Sequence, residues 1–213
     1  MDSNLNFVVT EKVNRTIKNL KKNNMDAYFV NDENELLVKL NELLQEGWLI
    51  SVGGSQSLFE TKVIDYLKSG RFEYLDRYKD GLNPKEIKEV FRKSFYADAY
   101  ITGTNAILES GELYNVDGNG NRVAAMLYGP DKVIVIAGVN KIVKDLEHAE
   151  ERVKAIAGPA NCIRLNKKTP CTKVGYCMDC QSEHRICNDY VLIKRQNVSD
   201  RITVLIVGKD LGY

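Results

Sequence analysis

The chain has 213 residues, enough for one large domain or one domain with a small appendage, and 44% of them are hydrophobic, which is ample for a folded core. Thirty Lys and Arg residues nearly balance 29 Asp and Glu residues, and no basic stripe alternates with aromatic residues, so we expect no nucleic-acid partner. No apolar run reaches the roughly 18 residues of a membrane-spanning helix, and the N-terminal MDSNLNFVVTEKVNRT has no basic stretch leading into an apolar one. We therefore expect a cytoplasmic protein without a membrane span.

Helices and strands alternate in the first half of the chain. The spacing of Val13, Ile17 and Leu20 predicts a helix, and AYFV that follows it reads as a buried strand. A leucine-rich helix capped by Asp32 is expected to end at Gly47, before the strand WLISVGG. The predicted helices cover residues 11–24, 33–46, 57–68 and 84–96, and the predicted strands cover residues 27–30, 48–54, 72–75 and 99–103.

The second half continues this pattern. ELYNVDG and VAAMLYG are predicted to pair as an antiparallel hairpin around Asn119 and Gly120, followed by the strand KVIVIAG. A helix is predicted over residues 141–157 and strands over 161–165, 189–196 and 201–208. Such alternation predicts one α/β domain over residues 1–213, with a largely parallel sheet covered on both faces. Ligand sites in such folds lie at the carboxyl edge of the sheet, where SVGGS, ITGTN and IAGVN fall.

Gly53, Gly54 and Ser55 form one candidate ligand loop. A strand that ends in two glycines before a helix exposes backbone N–H groups, which suits a phosphate or a carboxylate. The sequence lacks the P-loop pattern and the complete GxGxxG pattern, so neither a P-loop nor a dinucleotide site is supported. A tight turn without a ligand is the alternative.

Residues 101–138 hold a second candidate region, because glycines and charged residues alternate there between predicted strands. Glycine allows positive φ and close backbone approach to a ligand, and the charged side chains could contact it. The glycines are Gly103, Gly111, Gly118 and Gly120, and the charged residues are Glu109, Glu112, Asp117 and Arg122. The alternative is a glycine-rich hairpin that belongs to the scaffold.

Four cysteines in TPCTKVGYCMDCQSEHRICN (residues 169–188) are the third candidate. Cys171, Cys177, Cys180 and Cys187 have the spacing C-x5-C-x2-C-x6-C, and four thiolates can hold either a zinc ion or an iron–sulfur cluster. A CxxC redox pair and plain reduced thiols remain as alternatives. Cys162 is predicted to be a small buried core residue.

Taken in order, SVGGS, the stretch from DAYITGTNAILESGELYNVDGNG to GVNKIVKDLEHAEERVK, the cysteine segment and the final VLIVGKDLGY resemble the LUD domain family of lactate-utilization-type proteins. The likeness begins near residue 10 and is densest over residues 98–154. The resemblance implies a three-layer α/β sandwich of the NagB/RpiA/CoA-transferase-like superfamily. It also implies a link to the oxidation of L-lactate to pyruvate, with partner subunits in an iron–sulfur-containing complex.

The resemblance also places site residues on this chain. The anion-holding loop of the superfamily falls on Gly53, Gly54 and Ser55, and its acidic catalytic position, a nucleophile or base, falls on Glu109. Its second ligand loop falls on Thr102, Gly103, Thr104 and Asn105. Three hypotheses follow: a LUD-type protein that binds a small carboxylate or phosphorylated metabolite and passes electrons through a cysteine-bound cluster, an isomerase or acyl/CoA-transferase-like enzyme using Glu109, and a non-catalytic assembly protein with structural zinc.

Overall fold

The computed structural model describes residues 2–213, and within them helices alternate with short strands. The helices are α1 (Ser3–Lys22), α2 (Glu33–Leu43), α3 (Gln56–Glu60), α4 (Val63–Leu67), α5 (Pro84–Lys93), α6 (Asn121–Tyr128), α7 (Leu146–Arg152), α8 (Gly158–Arg164) and α9 (Cys171–Val174). The strands are β1 (Asp26–Val30), β2 (Leu49–Val52), β3 (Glu73–Tyr74), β4 (Ala99–Thr102), β5 (Ala106–Leu108), β6 (Leu113–Asp117), β7 (Lys132–Gly138), β8 (Ile142–Val143), β9 (Asp189–Ile193) and β10 (Ile202–Val207). Short 3₁₀ turns cover Ser94–Tyr96 and Val139–Lys141, and a π-helical turn covers Val153–Ala157.

Six strands form a central sheet in the order β1-β10-β7-β4-β2-β3, and all five neighbouring pairs are parallel. β7 and β10 are interior strands and are almost wholly buried, as continuous apolar runs such as KVIVIAG predict for strands covered on both faces. The predicted parallel sheet is confirmed. The carboxyl ends of β2, β4 and β7 consequently lie side by side at one edge, which positions the loops that follow them.

The sheet is the middle of three layers. Apolar side chains of one sheet face, such as Ile101 and Ile134, pack with Leu36 and Leu40 of α2 and with Leu58 of α3. The opposite sheet face packs against α1, α6 and a second sheet of order β8-β5-β6-β9. The predicted three-layer α/β sandwich is therefore confirmed.

The predicted hairpin is wrong in its second strand. VAAMLYG lies in α6, because Gly120 adopts positive φ (+67°) at the helix start and the Asp117 carboxylate accepts hydrogen bonds from the N–H groups of Arg122 and Val123. Ala, Met and Leu are also strong helix formers. β6 pairs instead with β5 and β9, and both pairings are antiparallel, so the antiparallel hairpin of this fold is β5–β6.

The strand predicted for residues 161–165 is also wrong, since this segment lies in α8. Pro159 stands in the first turn of that helix, where proline is tolerated, and the π-helical turn connects α8 to α7. Cys162 is 2% exposed, so the prediction of a buried core cysteine is confirmed although its element is a helix.

Three predicted helices differ most from the observed ones. α1 begins at Ser3 because Asp2 caps it, eight residues before the predicted start. The helix predicted over residues 57–68 is divided into α3 and α4, because Lys62 takes positive φ (+57°) between them. The helix predicted from residue 141 begins at Leu146, where Asp145 caps it. None of the helices within residues 2–213 is both long enough and apolar enough to cross a membrane.

Candidate functional site

A cavity of about 400 Å³ lies at the carboxyl ends of β2 and β4. Its wall is built from residues 54–56 after β2, residues 103–105 after β4, the β6–α6 turn, α8, and Lys141 in the turn after β7. This is the sheet edge where the sequence predicted ligand loops, and the volume falls within the range of small-molecule sites. Of the predicted ligand residues, Gly54, Ser55, Gly103, Thr104, Asn105, Asp117 and Arg122 line the cavity.

The two glycine loops interlock behind this wall. A Cβ atom on Gly53 would stand 2.4 Å from the Thr102 hydroxyl, and one on Gly103 would stand 2.4 Å from the Ser55 hydroxyl. Both distances are far below van der Waals contact, so these glycines allow the loops to pack against each other. Neither has positive φ. Gly54 differs, because its nearest neighbour would be the Arg77 guanidinium at 3.5 Å, an ordinary contact.

Replacing Gly53 with alanine is therefore expected to lower the free energy of unfolding by about 1–3 kcal/mol, because the added methyl group overpacks the buried contact with Thr102. Gly54→Ala is the matched control and should change it by less than about 1 kcal/mol. Urea unfolding of both variants measures the difference. Equal effects of the two substitutions would contradict this role for Gly53.

Helix α3 has only five residues, so its N-terminus supplies little dipole for an anion, and the predicted ligand contact of Ser55 stays a prediction. Ser55 stands at the start of α3 but its side chain makes no capping hydrogen bond. Its position is nevertheless at the cavity wall. An anion in the cavity would thus be held chiefly by side chains.

Arg122 is buried and joins the loops around the cavity. Its guanidinium donates to the Gly103 carbonyl at 3.1 Å, the Asn115 side-chain oxygen at 2.6 Å, the Asn105 side-chain oxygen at 3.1 Å and the Val116 carbonyl at 3.0 Å. The Asp117 carboxylate lies 3.7 Å from its Nε atom. With these bonds made inside the protein, Arg122 and Asp117 shape the site more than they are free to contact a ligand.

The predicted threonines are likewise bonded within the wall. The Thr102 hydroxyl donates to the Gly103 carbonyl at 3.2 Å, and the Thr104 hydroxyl lies 3.1 Å from the carbonyls of both Ala106 and Tyr114. Thr102 is fully buried behind the loop. The side-chain oxygen of Asn105 accepts from the Val116 N–H at 2.9 Å as well as from Arg122. These residues fix the shape of the loop after β4.

Lys141 is a lining residue that the sequence analysis missed. It was placed at the start of a predicted helix, where a lysine would be solvated, whereas the structure puts it in a 3₁₀ turn that follows β7. Its side chain is 3% exposed, and its Nζ atom donates to the Thr104 carbonyl at 3.2 Å and to the Ser57 hydroxyl at 3.3 Å. One sequence feature could have identified Lys141 as a lining residue: it lies three residues after Gly138, the last residue of a predicted strand whose end faces the ligand edge.

The lining is strongly cationic. Asp117 is its single carboxylate side chain among the described residues, and α6 and Arg122 already engage that carboxylate. The cationic lining residues are Arg77, Arg122, Lys141, Arg164 and Lys167. Positive charge in a partly enclosed cavity favours an anionic ligand.

Comparison with known proteins fits this architecture. The sequence profile of the LUD domain matches residues 13–207. The chain belongs to the LUD domain family. The resemblance found in the motifs is thereby confirmed. No curated protein matches the sequence.

Solved structures agree on the fold. A DUF162 family protein from Deinococcus radiodurans is similar with a TM-score of 0.56 at 16% identity, covering 94% of this chain and 98% of that one. At 16% identity this similarity shows the fold alone. More distant matches, both with a TM-score of 0.37, are eIF2B beta from Chaetomium thermophilum (16% identity, 55% of this chain and 44% of that one) and 5-methylthioribose 1-phosphate isomerase from Pyrococcus horikoshii (18%, 70% and 48%). These two carry no argument about the site.

Glu109 does not reach the cavity of this LUD protein. Its carboxylate pairs with Arg15 of α1 at 3.2 Å, and its backbone carbonyl accepts from the Asn19 side chain at 2.7 Å. The catalytic role of Glu109 stays a prediction without geometric support.

The cysteine segment forms part of the cavity wall. Ile186 lines the cavity, and Asn188 donates from its backbone N–H to the Asp117 carbonyl at 2.9 Å and from its side chain to the Gly118 carbonyl at 3.0 Å. Arg185 orders the segment, because its guanidinium donates to the carbonyls of Cys180 at 2.7 Å and Cys187 at 2.9 Å. The segment therefore positions the β6–α6 turn.

The four thiols do not fit a preformed metal site. Within residues 2–213, no three His, Cys, Asp or Glu side chains are grouped as a metal ion requires. Cys171 is buried on α9 with its Sγ atom 3.2 Å from the Thr169 hydroxyl, and burial raises the pKa of the Cys187 thiol although Arg185 opposes this shift. The zinc or iron–sulfur prediction stays a prediction that this arrangement does not support.

Proposed function

We propose that this LUD-domain protein binds a small organic anion, a carboxylate or a phosphate ester, in the cavity at the carboxyl edge of its central sheet. The observation that carries the proposal is the lining, in which Arg77, Arg122, Arg164 and Lys167 supply positive charge and the single carboxylate side chain is already engaged. Lys141, the fifth basic lining residue, is buried and donates hydrogen bonds only to a hydroxyl and a carbonyl oxygen. An anion would complete this charge distribution.

Arg77 and Arg164 are the guanidinium groups best placed for the ligand. Arg77 stacks on Phe91, with 4.5 Å between its guanidinium carbon and the ring centroid, and lies over Gly54. Arg164 donates from Nε and from one terminal nitrogen to the Asn161 side-chain oxygen, at 3.1 and 2.8 Å. Both are thus oriented at the cavity wall by neighbours that leave guanidinium donors for a carboxylate or phosphate.

Family membership suggests the metabolic setting. A LUD-domain protein is expected to act in the utilization of organic acids, lactate among them, and L-lactate is small enough for a cavity of about 400 Å³. Electron transfer through the cysteine segment stays a prediction from the cysteine spacing and the resemblance. Partner subunits of a lactate-oxidising complex remain a prediction from the resemblance.

Isothermal titration with L-lactate, pyruvate and inorganic phosphate tests the proposal. We expect at least one of the three to bind, and Arg77→Met and Arg164→Met each to weaken that binding by about tenfold, since a hydrogen bond to a charged group contributes roughly 1.5–3 kcal/mol. Arg195→Met, which removes an exposed arginine after β9, is the control and should leave the affinity unchanged. Binding that is equally weakened by all three substitutions, or absent for all three anions, would contradict the proposal.

A further inference from the structure

Lys141 has the setting of a reactive amine. It is held in a turn between β7 and β8, at the cavity wall and out of bulk water. Its two hydrogen-bond partners are uncharged oxygens, the Ser57 hydroxyl and the Thr104 carbonyl. Structural lysines that are buried are normally paired with a carboxylate, so this environment does not stabilise the ammonium form.

Burial and the neighbouring cations both favour the neutral form of Lys141. Burial is the largest cause that lowers the pKa of Lys141, to about 7, and the cations Arg152 of α7 and Arg122 of α6 lower it further. Glu60 of α3 opposes this effect as the smallest contribution. Arg152 is fixed behind the site, since its guanidinium donates to the carbonyls of Asn140 at 3.2 Å and Asn105 at 2.9 Å. Much of the Lys141 population is therefore a neutral amine at neutral pH, and a neutral amine is a nucleophile.

We propose that Lys141 is a covalent binding site for a small anion that carries a carbonyl group, such as a 2-oxo acid, with the anionic end held by the cationic lining of the same cavity. This inference rests on the proposed anion site, because the charge of the ligand brings its carbonyl group to the amine. The carbonyl group and the anionic group belong to one molecule, because Lys141 and the cationic side chains line the same cavity.

The chemistry is a reversible condensation. The Nζ lone pair attacks the carbonyl carbon, the C–O π bond breaks, and a proton lost from Nζ passes to the oxygen to give a carbinolamine. The remaining C–O bond then breaks and the oxygen leaves as water with the second Nζ proton, which leaves a C=N bond to Lys141 and needs no oxidant or reductant. The Ser57 hydroxyl, 3.3 Å from Nζ, can accept a proton from the nitrogen.

Reductive trapping tests this inference in the full-length protein. Pyruvate is mixed with the protein and sodium cyanoborohydride, which reduces only the C=N bond, and the modified lysine is located by peptide mass spectrometry. We expect one carboxyethyl group on Lys141, with at least about tenfold more label than on an exposed lysine such as Lys194. The reason is that at pH 7 the neutral fraction of Lys141 is roughly a thousandfold larger than that of an amine with the ordinary lysine pKa. Acetone, which lacks the carboxylate, should label Lys141 much less.

Three further experiments distinguish the possible results. Inorganic phosphate should compete with the labelling, and Lys141→Arg should abolish it. Labelling with dihydroxyacetone phosphate in place of pyruvate tells whether a phosphate serves as the anionic end as well as a carboxylate does. Label spread over exposed lysines while phosphate still binds by titration would overturn the covalent site and leave the anion site standing. Absence of selective labelling, together with absence of binding for lactate, pyruvate and phosphate alike, would overturn both proposals.

Discussion

Replacing Arg122 with methionine is expected to lower the free energy of unfolding by about 3–5 kcal/mol, the largest effect of any substitution at the site. The arginine donates four hydrogen bonds to the loop after β4 and to β6, and its loss leaves those buried acceptors and the Asp117 carboxylate without their partner. Lysine should not restore the stability, since it has neither the planar fork nor the reach to four acceptors. Urea or thermal unfolding measures these differences.

The control for this substitution is Arg195→Met, which removes an exposed arginine and should change stability by about 0.5 kcal/mol or less. A loss below about 1 kcal/mol for Arg122→Met would contradict the role of Arg122 as the residue that joins the two loops. The same result would return Arg122 to the set of residues free to contact a ligand.

Lys141→Met is expected to change how stability depends on pH. In the unfolded chain the lysine has its ordinary pKa near 10.5, whereas burial lowers its pKa to about 7 in the folded protein. Between these values the unfolded chain holds a proton that the folded protein has released, so the contribution of Lys141 makes stability rise with pH. Below pH 7 Lys141 is protonated in both the folded and the unfolded protein, so the folded protein bears the full free-energy cost of a buried ammonium group.

Methionine has no titratable group, so Lys141→Met removes this pH dependence. Its free energy of unfolding should exceed that of the wild type most clearly below pH 7, and the difference should shrink by roughly 3 kcal/mol as the pH rises towards 10. Unfolding measured from pH 6 to pH 10 for wild type, Lys141→Met and the exposed control Lys194→Met gives the comparison, and Lys194→Met should run parallel to the wild type. Parallel curves for wild type and Lys141→Met would mean that Lys141 is an ordinary, solvated lysine.

The parallel sheet and its ligand edge could be predicted because they depend on local signals. Apolar runs such as KVIVIAG can be buried only in a strand covered on both faces, and SVGGS and ITGTN mark where two such strands end. Both loops lie at the cavity. The LUD resemblance rests instead on the order of motifs along nearly the whole chain, and the family profile confirms it.

The errors in element assignment arose at helix starts. VAAMLYG contains residues common in strands and helices alike, and the Asp117 cap together with Gly120 starts a helix there. Sequence shows the charge of Arg122 but not the four acceptors around it, so its contact with a ligand stays a prediction. Lys141 looked solvated because the amphipathic pattern of residues 141–157 extends past the true helix start at Leu146.

The cysteine segment shows a related limit. The spacing of Cys177 and Cys180 is compatible with a metal site, but spacing cannot reveal that Arg185 binds the backbone carbonyls of the segment and that its end packs on the β6–α6 turn. The segment acts in this structure as a wall of the cavity. Anaerobic purification with metal analysis of wild type and Cys177→Ser/Cys180→Ser remains the measurement for the cluster prediction.

The central claim is that a small anion binds in the cavity at the carboxyl edge of the sheet, and a backbone amide NMR titration with inorganic phosphate tests it most directly. The account predicts that the largest chemical-shift changes fall on residues 54–56, 103–105, 118–121 and 141, and that they are reduced in Arg77→Met but not in Arg195→Met. Shifts centred elsewhere, for example around residues 190–198, or no saturable shift for phosphate, lactate or pyruvate, would contradict it.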